Sequence, residues 1–180
     1  MNAPRGLSRG WFVGCLSVIA ITTLIVYQPA LSVGFWTDDY TFIDMAGRLD
    51  FLAYLIAYLD PRVQWHWYRP MQGLQWWIGY QLFQGNAFGH HFIQLGLHIL
   101  NACLLFDLTR ALTRRWRLAL FAALIYATLS VDSLAVAWVG VADPLLSVFY
   151  LLALRFWFAY LVRVERRWYG LTLIALIGAL

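Results

Sequence analysis

Two adjacent carboxylates, Asp38-Asp39, follow directly on the first apolar run of this chain, and a third, Asp143, interrupts a later one. An ionised carboxylate near neutral pH can take a proton from a hydroxyl or, in a pair, hold a divalent cation. Structural duties compete for the same residues. Asp38 or Asp39 can cap a helix, a role for which Thr37 also competes, and Asp143-Pro144 reads as a helix start with Asp at the cap and Pro at the first position. For Asp143 both can hold: a helix N-terminus favours an anion, and an ionisable residue at membrane depth is a functional candidate.

Further polar residues stand near these carboxylates. Arg69 and His66 belong to the run Trp65-His66-Trp67-Tyr68-Arg69-Pro70, where a cation suits a lipid phosphate or neutralises the acidic stretch before it. His90 and His91 are placed to reach a ligand, without the spacing of a zinc site. Gln94, His98 and Asn101, at i, i+4 and i+7, share one helix face, a pattern that in spanning helices serves interhelical hydrogen bonding. Arg155 follows Pro144 by about half a span, and snorkelling toward the cytoplasmic side is expected of it.

The elements that must position these groups are apolar helices. Hydrophobic residues are 62% of the 180 and charged residues 12%, and mean hydropathy is +0.66, outside the range of soluble domains. All 13 basic residues are Arg, clustered between apolar runs, so the net charge of +4 reads as membrane orientation and excludes a nucleic-acid surface. Cys15 and Cys103 lie inside apolar segments and read as small buried hydrophobes. Spanning helices are expected over 10–33, 88–112, 118–131 and 134–162, with a partial one over 168–180. Residues 34–86 form a loop with short helices on the membrane surface, one after Pro70 carrying an aromatic belt of Trp76, Trp77, Tyr80 and Phe83. The first apolar run lacks a small-x-small cleavage site and reads as an uncleaved anchor. The last stops at roughly 13 residues, short of the ~20 needed to span, as expected of the first part of a larger protein.

Orientation follows from three basic clusters, Arg5 with Arg9, Arg110 to Arg117 and Arg163 to Arg167. If four helices span, all three fall on one side, so the N-terminus is cytoplasmic and the carboxylate-rich loop is external.

The order of motifs is more specific than any one of them. Asp38-Asp39 is followed by Tyr68-Arg69-Pro70, Gly85-Asn86-x-Phe88-Gly89-x-His91, His98-x-x-Asn101, a basic turn, and Ala135-Val136-Ala137-Trp138-Val139-Gly140-x-Ala142-Asp143-x-Leu145-Leu146. Over about residues 10–165 the chain resembles the membrane domain of polyprenyl-phosphate-sugar-dependent glycosyltransferases of the type C fold. The nearest look is to transmembrane O-mannosyltransferases bearing tetratricopeptide repeats, with protein O-mannosyltransferases and lipid A aminoarabinose transferases more distant. The resemblance implies an all-α integral membrane protein of the bacterial inner (plasma) membrane. It implies inverting transfer of a hexosyl or mannosyl group from a polyprenyl-phosphate donor to a protein or glycan hydroxyl outside the cytoplasm. By the same resemblance Asp38 is the catalytic base, with Asp39 as its neighbour and Asp143 lining the same cavity. Arg69 lies near the lipid phosphate, and His66, His91 and Trp138 complete the substrate-binding set. Metal dependence varies between branches of the family, leaving a divalent ion open.

Two departures stand out. Many relatives have His-Pro where this chain has Leu129-Ser130, and Arg where Val141 stands. They favour an alternative, a non-catalytic membrane scaffold of the same fold. A transporter is a further alternative, for which broken helices or an inverted repeat are wanted; no repeat is visible in the sequence.

Overall fold

The computed structural model describes residues 8–60, 62, 68–129 and 133–179. Ser8 opens the first helix, α1 (Arg9–Tyr27), its side chain accepting the Trp11 N–H, and Pro29 draws the end of α1 into a 3-10 turn over Gln28–Ser32. Two short helices follow, α2 (Asp39–Arg48) and α3 (Phe51–Leu59), the latter capped by the Asp50 carboxylate on the Ala53 N–H. Pro70, which needs no N–H partner in a first turn, starts α4 (Pro70–Phe83). Asn86 caps the long central helix α5 (Ala87–Thr113). After it come α6 (Trp116–Thr128), α7 (Ser133–Ala137), α8 (Asp143–Arg163) and α9 (Arg166–Gly178).

Among the described residues there is no strand, and three stretches are long and apolar enough to cross a membrane: Arg9–Ser32, Ala87–Thr113 and Asp143–Arg163. Packing is inside-out. Ile21, Ile25, Phe92, Phe121 and Leu161 are exposed, while alanines fill the interior. Ala119, Ala123 and Ala127 recur every fourth residue on α6 and are fully buried against Cys15 and Ile19 of α1 and Ala102 and Phe106 of α5. Small residues let helix backbones approach where lipid removes the hydrophobic gain of burying large ones. With its spans and this packing, the chain is an all-α membrane protein. Cys15 is buried and Cys103 half-buried, both as free thiols, in keeping with small hydrophobes.

The contacts also order the ends of the bundle. Trp11 meets Trp116 with ring centres 6.3 Å apart, and at the far end the Tyr27 hydroxyl donates to the Leu129 carbonyl at 2.7 Å. Thus α6 runs beside α1 for its whole length, antiparallel to α5, and the basic α5–α6 turn lies at the end where α1 begins.

Several expectations are corrected. The helix expected over 118–131 ends at Thr128 and has 13 residues, about 20 Å, short of a ~30 Å hydrocarbon core. Of the polar break expected at Ser130-Val131-Asp132-Ser133, the first three residues lie outside the described residues. The helix expected over 134–162 is two helices with an unwound stretch at 138–142 between them. The cause is local: Pro144 has no N–H to give to the Gly140 carbonyl four residues earlier, so a continuous helix cannot close there. Trp76 does not join an interfacial belt; it is 1% exposed, between Phe42 and His90. On α3, Tyr54 and Tyr58 turn inward while Leu52, Ile56 and Leu59 are exposed. Arg155 does not snorkel alone: its Nε donates to Asp107 on α5 at 2.6 Å, and Asp107 also accepts from Arg110 at 2.8 Å.

Polar side chains of α5 and α4 take up the carbonyls that the unwound stretch leaves. Gln94 Nε2 donates to the carbonyls of Val139 at 2.9 Å and Val141 at 2.8 Å, and Gln72 Nε2 donates to Gly140 at 2.6 Å. Asn101 Nδ2 reaches the Pro144 carbonyl at 2.7 Å. Gln94→Leu leaves two buried carbonyls without donors, so thermal unfolding in detergent is expected to show a loss of about 2–4 kcal/mol. Phe92→Leu, on the exposed side of the same helix, is expected to leave the midpoint nearly unchanged.

Candidate active site

A turn before α2 holds the two adjacent carboxylates in different environments. The Trp36 N–H donates to Asp39 Oδ2 at 2.8 Å, and the Asp39 N–H donates back to the Trp36 carbonyl at 2.8 Å. Closing this reciprocal ring puts Thr37 at φ 38°, a left-handed conformation that costs a β-branched residue on the order of 1–3 kcal/mol. Asp39 is thereby fully buried, whereas Asp38 is exposed. Neither Asp38 nor Thr37 caps α2 through its side chain; Thr37 Oγ1 donates instead to Asp38 Oδ1 at 3.0 Å.

The unwound stretch then brings Asp143 to the same place. Ala142, not Asp143, is the cap residue of α8, and Asp143 and Pro144 occupy its first turn. Asp38, Arg69, Trp138 and Asp143 line one pocket of about 370 Å³, together with Phe42, Tyr58, Gln72, Gly140 and Val141. Asp38 and Asp143 head α2 and α8, where the aligned peptide dipoles favour negative charge. Arg69, the residue before α4, brings the cation.

Gly140 is the hinge of the arrangement. A Cβ placed there would stand 2.8 Å from Asp39 Oδ1, 2.9 Å from Trp138 Nε1 and 3.1 Å from Asp38 Oδ1. Only a glycine lets this backbone pass so near both carboxylates. Trp138 packs edge-on against Trp36 with ring centres 6.2 Å apart, and its buried indole N–H has no protein acceptor among the described residues.

The remaining expected residues fall elsewhere. Asp39 stands behind the pocket, against Gly140. His91 does not line the pocket either. It is fully buried, and its Nδ1 lies 3.4 Å from the Val136 carbonyl. His66 lies outside the described residues.

Burial raises the Asp39 carboxyl above the ordinary carboxylate range; the Asp38 charge adds to this, while the Trp36 N–H, the Gly140 backbone and His91 act against it. Tyr58 is pushed by burial up to about 12, so it stays a neutral phenol in the wall of the pocket. Its ring lies over Gly73 of α4, where a Cβ would come within 2.3 Å of it. Tyr58 and Gln72 were not singled out from the sequence. Tyr58 follows Tyr54 by four residues, placing two phenols on one face of a Leu- and Ala-rich helix. Gln72 becomes visible once a donor is sought for the Gly140 carbonyl that Pro144 cannot bond.

The pocket thus combines an exposed carboxylate, a second carboxylate, a guanidinium, neutral donors and aromatic walls. It is equipped to take a proton from a hydroxyl beside an anionic group. Among the described residues no three His, Cys, Asp or Glu side chains converge, so a divalent ion here would draw ligands from its substrate, as Mg²⁺ commonly does. No family model, curated protein or solved structure matches the chain.

Two outcomes test this geometry. Gly140→Ala is expected to cost about 1–3 kcal/mol, read by thermal unfolding, because the methyl must displace the buried Asp39 carboxylate or the indole. Gly96→Ala, with open space around it, is expected to stabilise by up to about 1 kcal/mol. For Asp39, the folded chain keeps a proton that the unfolded chain loses near the ordinary pKa of about 3.9. Stability therefore falls as pH rises from there to the raised value and then levels. Asp39→Asn keeps an oxygen for the Trp36 N–H without the charge, and a pH series of unfolding midpoints is expected to lose that slope.

Proposed function

We propose that the chain is part of a membrane glycosyltransferase that moves a sugar from a polyprenyl phosphate to an acceptor hydroxyl outside the cytoplasm. The observation that carries this reading is the meeting of Asp38, Asp143 and Arg69 in one pocket. The pocket lies at the bundle end away from the α5–α6 arginines, the end that the positive-inside rule assigns to the non-cytoplasmic face.

In this mechanism the acceptor hydroxyl approaches Asp38, the exposed member of the pair. Its oxygen attacks the anomeric carbon while its proton passes to the Asp38 carboxylate. The bond from that carbon to the phosphate oxygen breaks, and the polyprenyl phosphate leaves with the electron pair. A single displacement inverts the anomeric configuration and needs no covalent intermediate. Arg69 offsets the charge growing on the leaving phosphate. Asp143 orients sugar or acceptor hydroxyls in the same pocket, and Trp138 offers an aromatic face to the sugar. Asp39 positions Asp38 by fixing the turn.

A second reading, the non-catalytic scaffold, rests on Val141. It lines the pocket at the position where many of the resembled enzymes carry Arg, leaving Arg69 as the cation among the lining residues. That reading predicts no binding of a lipid-linked sugar. The break at 138–142 also has the character of transporter helices, but no paired break interrupts another spanning helix among the described residues.

The deciding measurement is transfer of labelled sugar from a polyprenyl-phosphate donor by the full-length protein and its Asp38→Asn variant. Loss of the base is expected to slow transfer by about 10²–10⁴-fold. Transfer by the variant at the unaltered rate removes Asp38 from the chemistry, and absence of transfer by the unaltered full-length protein removes the glycosyltransferase reading.

A further inference from the structure

A basic turn joins α5 to α6 at the bundle end away from the pocket, and we propose that it binds the headgroup of an anionic phospholipid whose acyl chain lies along α6. A cavity of about 560 Å³ is lined there by Arg114, Arg115, Trp116, Arg117, Leu118 and Phe121. Three of these side chains are cationic and three apolar, the same division a phospholipid has between phosphate and tail. The three arginines are exposed, and among the described residues no carboxylate lines the cavity. Among the described residues none of the three enters an ion pair. Arg110, one turn back on α5, is already engaged by Asp107 and stands 4.9 Å over the Phe12 ring. It is not counted in the site.

The apolar half continues in one direction. Leu118, Phe121 and Ile125 are 45%, 64% and 45% exposed, and their i, i+3, i+7 spacing makes a lengthwise stripe. It leads from the arginines toward the middle of the bundle for roughly 10 Å. Trp116 sits at the junction, beside Trp11, with the Arg117 guanidinium 5.4 Å over its ring. An indole at the boundary between charged and apolar surface is the usual anchor at a membrane interface.

The α8–α9 turn supplies an internal contrast. It has a comparable set of cations, Arg163, Arg166 and Arg167, and so serves orientation equally well. That turn carries its own counter-charge: Arg167 pairs with Glu165 and, like Arg163, lies over Trp168. The α5–α6 turn combines guanidiniums that enter no ion pair among the described residues with an apolar shelf, as phosphate recognition beside an acyl chain requires. A choline headgroup carries its own cation, so the preference is for a net-negative lipid such as phosphatidylglycerol.

The test uses the full-length protein purified in neutral detergent, incubated with equal amounts of phosphatidylglycerol and phosphatidylcholine and read by native mass spectrometry. One phosphatidylglycerol is expected to be retained in preference. Arg114→Gln and Arg115→Gln are each expected to weaken retention about 5-fold, and removal of all three arginines about 100-fold. Arg166→Gln with Arg167→Gln is expected to leave it unchanged. Should the triple variant insert poorly for lack of its orienting charge, the two single variants decide the matter. Equal retention of both lipids overturns the proposal, as does wild-type retention by the single variants. So does displacement of the lipid by millimolar inorganic phosphate, which would make this a site for free anions.

Discussion

Backbone carbonyls set loose inside the helix bundle are the constraint on which the rest of the structure depends. Pro144 cannot donate to Gly140, and the stretch at 138–142 leaves the helix it would otherwise continue. Each unsatisfied carbonyl in a water-poor interior costs several kcal/mol, so irregular backbone survives there only where protein donors meet it. Gln94 serves two such carbonyls from α5, Gln72 serves Gly140 from α4, and Asn101 reaches Pro144. Gln75 in turn donates to Gln94 Oε1 at 3.3 Å, tying the α4 and α5 donors together. These bonds fix Gly140 beside Asp38 and Asp39 and aim the first turn of α8, with Asp143, at the same pocket.

That fixed backbone also separates two neighbouring residues of identical chemistry. Asp39 folds back on the Trp36 N–H, is sealed by Gly140 and has its carboxyl raised by burial. Asp38 stays at the pocket surface. The strained Thr37 is the cost of this division, since the turn that pairs Trp36 with Asp39 forces a threonine into left-handed backbone. A pair that reads symmetrically in the sequence thus becomes one group exposed for chemistry and one that holds the turn.

Away from the pocket, the bundle manages charge and volume by rules suited to lipid. Alanine stripes let α6 close on α1 and α5, and the larger aliphatic side chains face outward. Asp107 pairs with both Arg110 and Arg155, linking α5 to α8 with one carboxylate between two guanidiniums. Removing one partner of such a group leaves charge behind in a medium that solvates it poorly.

Much of this was legible in the order of residues. Composition and apolar run length decide a helical membrane protein. Pro70, Asn86 and Asp50 mark helix starts, because capping and the lack of a proline N–H act within one turn of chain. The shared face of Gln94 and Asn101 follows from helical periodicity alone, as does their use as hydrogen-bonding groups. Other features need residues far apart in the chain. Asp107 as the partner of Arg155, Tyr58 over Gly73, Gln72 under Gly140 and Trp76 in the interior depend on which helices pack together. So do the unequal burial of Asp38 and Asp39 and the retreat of His91 behind the pocket. Local sequence determined where the helices begin and break, since those forces act over three or four residues. Only tertiary packing decided which broken end faces which carboxylate, because desolvation and donor supply come from neighbours that sequence distance does not specify.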